Sequence, residues 1–176
     1  MSPVNALSNS NARLGFISRR AGNLLGFLAC AGMLAFGYFL QYVKGLEPCP
    51  LCMIQRAFFV LSGILFLIAG LHRPRARWAA IGYGLIIAVS ALSGAAVAAR
   101  HVWIQHTPES LRPACGPGLD FLLNTFGPIE SLRRILHGSG ECGVVDWTFL
   151  RLSIPEWTLI CFPVFAVWAL YLSFRD

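Results

Sequence analysis

Residues 47–56 read EPCPLCMIQR and stand where a polar turn gives way to a long apolar segment. They contain a CxxC pair, Cys49 and Cys52, with Arg56 four residues after the second cysteine. Residues 57–71, AFFVLSGILFLIAGL, are uncharged but too short to cross a membrane, which takes about 20 apolar residues. The segment reaches that length only if Cys52 lies in the first turn of a helix. The sequence therefore predicts two thiols and a cation at the N-terminal end of a membrane-spanning helix.

The overall composition also indicates a membrane environment. The chain has 176 residues, of which 56% are hydrophobic and only 12% are charged, whereas soluble domains carry about 25% charged residues. A net charge of +6 would suit a nucleic-acid partner, but the sequence has no basic helix face with interleaved aromatic residues. Basic residues that flank apolar segments are typical of membrane proteins. We therefore expect the lipid bilayer, and no nucleic acid, as a partner.

Four apolar segments reach or approach spanning length. Those at about 23–43, 78–99 and 157–174 are uncharged, and the CxxC region begins the other, at about 53–71. The first is longer than the apolar core of a signal peptide, about 7–15 residues, and no clear cleavage pattern ends it, so we interpret it as an uncleaved span. The sequence predicts an all-α integral membrane protein, a single membrane domain over 1–176 built as a four-transmembrane-helix bundle. Small residues on the third segment suit close helix–helix approach in lipid; they are Gly82, Gly84, Ser90, Ser93 and Gly94.

Charge placement orients the predicted bundle. The short turn HRPRAR at 72–77 is basic, as is the tail at 1–20, whereas Lys44 is the one basic residue of the loop at about 44–52. Positive charge in short flanks marks the cytoplasmic side, so both termini are expected in the cytoplasm and the loops at about 44–52 and 100–156 outside. Four arginines in the long loop weaken this assignment, although long loops translocate largely regardless of charge.

The six cysteines divide by depth. Cys30 and Cys161 fall inside spans, where a free cysteine packs as a small hydrophobic residue. The other four fall in the two loops that share one face of a four-span protein: Cys49, Cys52, Cys115 and Cys142. Loop cysteines that occur on just one face of the protein are typical of a face in an oxidising compartment, with the reducing cytosol on the other side. This agrees with the orientation predicted from charge.

Zinc binding and a structural disulfide are the other common uses of such cysteines. A structural zinc site needs two close ligand pairs, but only the CxxC pair is close, and the histidines at 101, 106 and 137 fall at no finger spacing. We therefore expect no metal site. A plain structural disulfide between Cys115 and Cys142 remains an open alternative.

Arg56 is expected one turn deeper than Cys52 on the same helix face. A thiol at a helix N-terminus meets the positive end of the helix dipole, which favours the thiolate. An arginine in the first turns of a membrane span is costly. It either snorkels to the interface or polarises a carbonyl beside Cys52, as the reduction of a membrane quinone would require.

Several motifs together resemble the bacterial disulfide bond formation protein B (DsbB) family. They are PCPLCMIQR after one span, a short basic turn, GSGEC at 138–142 and DWTFLRLSIPEW at 146–157. The resemblance covers nearly the whole chain after the N-terminal tail. It implies a thiol:quinone oxidoreductase of the bacterial inner membrane that sustains disulfide formation in the periplasm. The electron acceptor would be ubiquinone or menaquinone, and the partner a thioredoxin-fold oxidase of the DsbA type.

The same resemblance implies a relay through the loop cysteines. The partner's thiolate would attack a Cys115–Cys142 disulfide at Cys115, and Cys142 would then attack Cys49. The released Cys52 would donate to the quinone. Each exchange needs a thiolate that can reach an accessible sulfur.

The resemblance also suggests quinone contacts. Arg56 matches the family's quinone-side arginine by its spacing from the CxxC pair. His106 is the best match to a histidine associated with the quinone, and His101 is a near competitor. Either histidine can instead be a solvated residue of the interface.

Between the two long-loop cysteines, apolar residues recur at helical spacing. The stripe contains Leu119, Leu122, Leu123, Phe126, Ile129, Leu132, Ile135 and Leu136. It predicts a short amphipathic helix in the membrane interface, which would tether the loop, although it fits a helix packed on top of the bundle equally well. Gly138, Gly140 and Gly143 would give Cys142 the backbone freedom that a moving cysteine needs.

Two alternatives remain open at this point. A relative of vitamin K epoxide reductase would also be a four-helix, quinone-linked thiol enzyme, but its CxxC pair is expected late in the chain, and here the pair comes early. The other alternative is a non-catalytic membrane protein with structural disulfides.

Overall fold

Four helices long and apolar enough to cross a membrane make up the fold. The computed structural model describes residues 18–72, 74, 76–111, 125, 127, 130, 131, 133, 140–145 and 147–175. The helices are α1 (Arg19–Lys44), α2 (Pro50–His72), α3 (Arg77–His106) and α4 (Ile154–Phe174). This architecture confirms the predicted four-helix membrane protein. The helices are longer than the predicted spans: α1, α2 and α4 begin three or four residues earlier than predicted, and α3 continues past residue 99.

Local signals in the sequence explain where the helices start and stop. The Ser18 hydroxyl accepts a hydrogen bond from the Ala21 amide and caps α1. Gly45 ends α1 in the left-handed conformation, with φ of 69°, which glycine adopts without a steric penalty. Pro50 occupies the first position of α2, where its missing N–H costs nothing. The connection between the two helices is therefore short, and they pack as antiparallel neighbours.

Aromatic side chains fill the centre of the bundle. Phe59 of α2 stacks on Phe162 of α4 with ring centroids 4.3 Å apart, and both rings are almost fully buried. Ser62 and Ser90 are buried and share a hydrogen bond of 2.9 Å between α2 and α3, so each polar group is satisfied inside the bundle. Large apolar side chains such as Val167 instead point outward, as lipid-facing residues do.

Glycine brings α3 and α4 into close contact. Cβ atoms added at Gly84 and Gly94 would overlap the side chains of Ser173 and Phe162. These two glycines therefore act as the sequence suggested. Gly82 does not, because a Cβ there would meet no atom within 4 Å.

The segment between α3 and α4 contains short elements next to the bundle. Among the residues described there, they include two 3-10 turns, Glu109–Leu111 and Gly140–Gly143, and an antiparallel pair of two-residue strands, β1 (Thr148–Phe149) and β2 (Leu152–Ser153). Residues 125, 127, 130, 131 and 133 of the same segment are helical. The Ser153 hydroxyl donates a hydrogen bond of 2.8 Å to the Gln105 side chain, which joins the end of α3 to the start of α4. Cys115, Gly138 and all eight residues of the predicted amphipathic stripe lie outside the described residues.

Candidate active site

The CxxC pair stands at the N-terminus of α2. Cys49 precedes the helix by one residue and Cys52 lies in its first turn. The Met53 amide donates to the Cys49 carbonyl at 3.2 Å, which closes that turn. Both cysteines are partly buried and present as thiols. The positive end of the α2 helix dipole therefore lies beside this pair.

His101, in the last turns of α3, lies against both thiols. Its Nε2 is 3.7 Å from the Cys49 sulfur, and its Nδ1 is 3.9 Å from the Cys52 sulfur. The imidazole is 2% exposed. A histidine removed from solvent to this degree is held by its neighbours, so its ring orientation is defined by the contacts around it.

A chain of hydrogen bonds fixes the tautomer of that imidazole. Gln55 Nε2 lies 3.0 Å from His101 Nδ1, and Gln55 Oε1 lies 2.6 Å from the Thr158 hydroxyl, which also reaches the Pro155 carbonyl at 2.9 Å. The Cys142 carbonyl beside His101 Nε2 can only accept, so Nε2 carries the proton of the neutral ring. Nδ1 therefore accepts, and Nε2–H donates to the Cys142 carbonyl at 3.1 Å. Of the two ring nitrogens, Nδ1 is the one near the Cys52 sulfur and Nε2 is the one near the Cys49 sulfur.

Cys142 is held beside the CxxC pair. It lies in the 3-10 turn Gly140–Gly143, is 1% exposed, and packs with Leu51, Val97 and Ile104, against which Cys49 also packs. The structure thus brings three of the four predicted redox cysteines into one region.

Arg56 reaches across to α1. Its guanidinium donates to the Gln41 side chain and to the Gly37 carbonyl, the latter at 2.9 Å. The ring of Tyr38 lies beneath it, with the guanidinium carbon 5.0 Å from the ring centroid. Hydrogen bonds to α1 satisfy part of this cation inside the bundle, so its cost in a membrane helix is reduced without snorkelling.

These side chains converge on one cavity of about 390 Å³, within the range of about 300–1,000 Å³ that small-molecule sites occupy. Cys52, Arg56 and His101 line its polar part. Apolar side chains of α1 and of the segment before α4 line the rest, including Met33, Leu34, Phe36 and Trp147.

The remaining predicted residues lie elsewhere. The side chain of His106 is 68% exposed, its Nε2 is 3.7 Å from a Glu156 oxygen, its Nδ1–H donates to the Val102 carbonyl, and it does not line the cavity. Cys30 is buried in the bundle core and Cys161 packs against that core. Cys115 lies outside the described residues, so its role stays a prediction.

Two further site residues escaped the sequence interpretation. Gln55 and Thr158 are both buried, and they hold His101 although they are far apart along the chain. Gln55 follows Cys52 by three residues, which is a helical spacing that could have drawn attention to it. Nothing in the local sequence marks Thr158.

Comparisons with known proteins show the family of the chain. The family model described as Disulfide bond formation protein DsbB matches residues 19–172. Relatives named Disulfide bond formation protein B include one from Xanthomonas campestris pv. campestris (strain 8004), 48% identical over 93% of each chain. Another, from Hahella chejuensis, is 50% identical over 88% of this chain and 93% of its own. No solved structure matches the chain. The match over most of the chain and the level of identity show that this multi-pass membrane protein belongs to the DsbB family of disulfide bond formation proteins.

Proposed function

We propose that this protein is a membrane thiol:quinone oxidoreductase that reoxidises a periplasmic dithiol oxidase of the DsbA type. The observation that carries the proposal is that the CxxC pair, a buried imidazole and an arginine of a membrane helix line one cavity. Family membership supports disulfide formation, and the cavity supports a small electron acceptor inside the membrane domain. The family match also favours this function over the vitamin K epoxide reductase alternative.

The cavity suits a quinone by its shape and its donor groups. Its walls are largely apolar, as an isoprenoid-substituted ring needs, and its polar side carries Arg56 and His101. A guanidinium has five N–H donors, and the hydrogen bonds from Arg56 to Gln41 and Gly37 use two of its nitrogens. Such a donor stabilises negative charge that develops on a carbonyl oxygen. The quinone, ubiquinone or menaquinone, would supply the oxidising power by accepting two electrons and two protons.

We assign the quinone-side histidine to His101 instead of His106. His101 is buried, lines the cavity and contacts both thiols. Its Nδ1 lies 3.9 Å from the Cys52 sulfur, so it can take the thiol proton once Gln55 gives up its hydrogen bond to Nδ1. Its Nε2–H donates to the Cys142 carbonyl, and Nε2 also lies 3.7 Å from the Cys49 sulfur, where the N–H dipole would stabilise negative charge.

Thiol–disulfide exchange would connect the cavity to the partner. The partner's thiolate attacks Cys115 and breaks the Cys115–Cys142 bond, and the Cys142 thiolate attacks Cys49 and releases Cys52. The partner leaves as a disulfide after its second thiolate displaces Cys115. The Cys115 thiolate then attacks Cys142, which restores the Cys115–Cys142 disulfide and releases Cys49. The Cys49–Cys52 disulfide re-forms as one electron pair and two protons pass to the quinone. Packing of Cys49 and Cys142 in one cluster supports the middle exchange.

We further propose that the protein spans the bacterial inner membrane with both termini in the cytoplasm. The short basic turn at 72–77 and the basic tail at 1–20 support that side as cytoplasmic. The CxxC pair and Cys142 would then face the periplasm, the oxidising compartment in which such cysteines work.

The test of the function combines the purified full chain in detergent, a short-chain quinone and a reduced DsbA-type partner. Loss of quinone absorbance should match the oxidation of the partner, one quinone for each dithiol. If the quinone stays oxidised and the loop cysteines never exchange with the partner, the result would instead support the alternative of a non-catalytic membrane protein with structural disulfides.

A further inference from the structure

The CxxC pair and His101 form a cluster of soft ligands. The two sulfurs and a ring nitrogen of His101 lie within 4.8 Å of one another. Zinc bonds of about 2.3 Å to sulfur and about 2.0–2.1 Å to nitrogen place tetrahedral ligands about 3.5–3.8 Å apart. His101 Nδ1 lies 3.9 Å from the Cys52 sulfur, which is already close to that spacing, whereas the 3.7 Å contact of the Cys49 sulfur is to the other ring nitrogen, Nε2. Spacing along the sequence could not reveal this cluster, because α3 supplies the third ligand.

The surroundings of His101 resemble those of a metal ligand. Metal-binding histidines usually donate their second N–H to a carboxylate or a backbone carbonyl, which fixes the ring. Here Nε2–H donates to the Cys142 carbonyl at 3.1 Å. Nδ1 is then the nitrogen that would bind an ion, after Gln55 gives up its hydrogen bond to it.

The position of the two sulfurs also favours a cation. Thiolates are the metal-binding form of cysteine, and a helix N-terminus favours them. Two thiolates and a neutral imidazole would balance the charge of a divalent ion. The competing cation, Arg56, is hydrogen-bonded to Gln41 and Gly37 of α1, so it is held by groups outside the cluster.

We propose that in the reduced protein Cys49, Cys52 and His101 bind one thiophilic divalent cation, such as Zn²⁺ or Cd²⁺, with the fourth position open to the cavity. Binding would release the two thiol protons and change no oxidation state. The disulfide form lacks the thiolates and would not bind. The consequence for activity rests on the proposed function, since sulfurs held by an ion cannot re-form their disulfide, and the ion would act as a reversible inhibitor.

The test uses full-length protein in detergent with Cys115→Ser and Cys142→Ser, reduced with a phosphine and titrated with Cd²⁺. Charge-transfer absorbance from thiolate to cadmium reports binding. We expect one ion bound per chain. The signal from this pair should be absent in a double variant that adds both Cys49→Ser and Cys52→Ser, and it should also be absent after the pair is oxidised. The double variant retains Cys30 and Cys161, so it subtracts any signal from those thiols.

The histidine provides the sharper comparison. His101→Ala should weaken Cd²⁺ binding at least tenfold, whereas His106→Ala, a matched change at an exposed residue of the same helix, should leave it unchanged. Equal affinity in His101→Ala and the parent would overturn the three-ligand site, as would a parent that binds no Cd²⁺. Binding requires no quinone, so a normal Cd²⁺ site in a protein that never reduces quinone would contradict the proposed function alone.

Discussion

His101 contacts Cys49, Cys52, Gln55 and Cys142, more of the site than any other residue that the structure describes. Its position depends on the length of α3, which the sequence did not predict. The spacing of the CxxC pair marked Cys49, Cys52 and Arg56 as candidates without a structure, and all three line one cavity. The histidine required knowledge of where α3 ends. His101 and His106 are five residues apart, so at about 100° per residue they lie about 140° apart around a helix. Because α3 continues to His106, only one of them faces the thiols.

This geometry predicts different effects for the two histidines. His101→Ala should raise the quinone KM and slow turnover at saturating quinone, because the cavity loses a contact and Cys52 loses the group that takes its proton. His106→Ala should change neither value by more than about twofold, since surface changes are worth about 0.5 kcal/mol at most. Quinone absorbance followed over a range of quinone concentrations separates KM from kcat. A larger effect for His106→Ala than for His101→Ala would refute the assignment.

Arg56 should act mainly on quinone binding. Losing a hydrogen bond from a charged group costs about 1.5–3 kcal/mol, so Arg56→Ala should raise the quinone KM about ten- to a hundredfold. The fold should be retained, as judged by the helical signal in circular dichroism. Gln41→Ala is the control, because it removes one partner of the guanidinium on α1 and leaves the cation in place. An unchanged KM in Arg56→Ala would exclude a role for this cation in binding.

At the scale of elements, α3 and α4 depend on small residues at their contact. The composition of the third span predicted close packing, but the pattern could not tell which small residues face α4. In the structure Gly84 is buried against Ser173. A Cβ added at Gly82 would have no atom within 4 Å. Two residues along a helix are about 200° apart, so only one of them can face a given neighbour.

Gly84→Ala should therefore destabilise the bundle, whereas Gly82→Ala should not. Overpacking costs about 1–3 kcal/mol, which corresponds to a fall in Tm of about 2–10 °C for a chain of this size. Thermal unfolding of both variants in the same detergent compares them directly. Equal Tm values for the two variants would show that α3 and α4 do not approach each other at Gly84.

Boundaries of elements were harder to predict than their existence. Hydrophobic length was enough to find all four spans, because each helix must satisfy its backbone within lipid. The predicted third span ended at residue 99, where polar side chains begin, yet α3 runs to His106. Polar residues such as Gln105 are accommodated there by contacts to the start of α4, which no local pattern reveals.

At the scale of the whole molecule, the account requires the thiol-bearing end of the bundle to face the periplasm. In a cysteine-free background, Glu47→Cys should react with a membrane-impermeant maleimide in intact spheroplasts. Ala76→Cys, in the opposite turn, should react only after the membrane is permeabilised, because the basic turn is retained on the cytoplasmic side. Mass spectrometry of the labelled chains provides the readout. The reverse pattern would place the redox site in the cytosol and contradict the orientation.

The most direct measurement isolates the inner cysteine pair from the partner. Protein with Cys115→Ser and Cys142→Ser is reduced, freed of reductant and mixed with a short-chain quinone in a single turnover. The account predicts that one quinone is reduced per chain as the Cys49–Cys52 disulfide forms, and that adding Cys52→Ser stops the reaction while adding Cys30→Ser does not. Undiminished quinone reduction after Cys52→Ser would contradict electron transfer from this thiol.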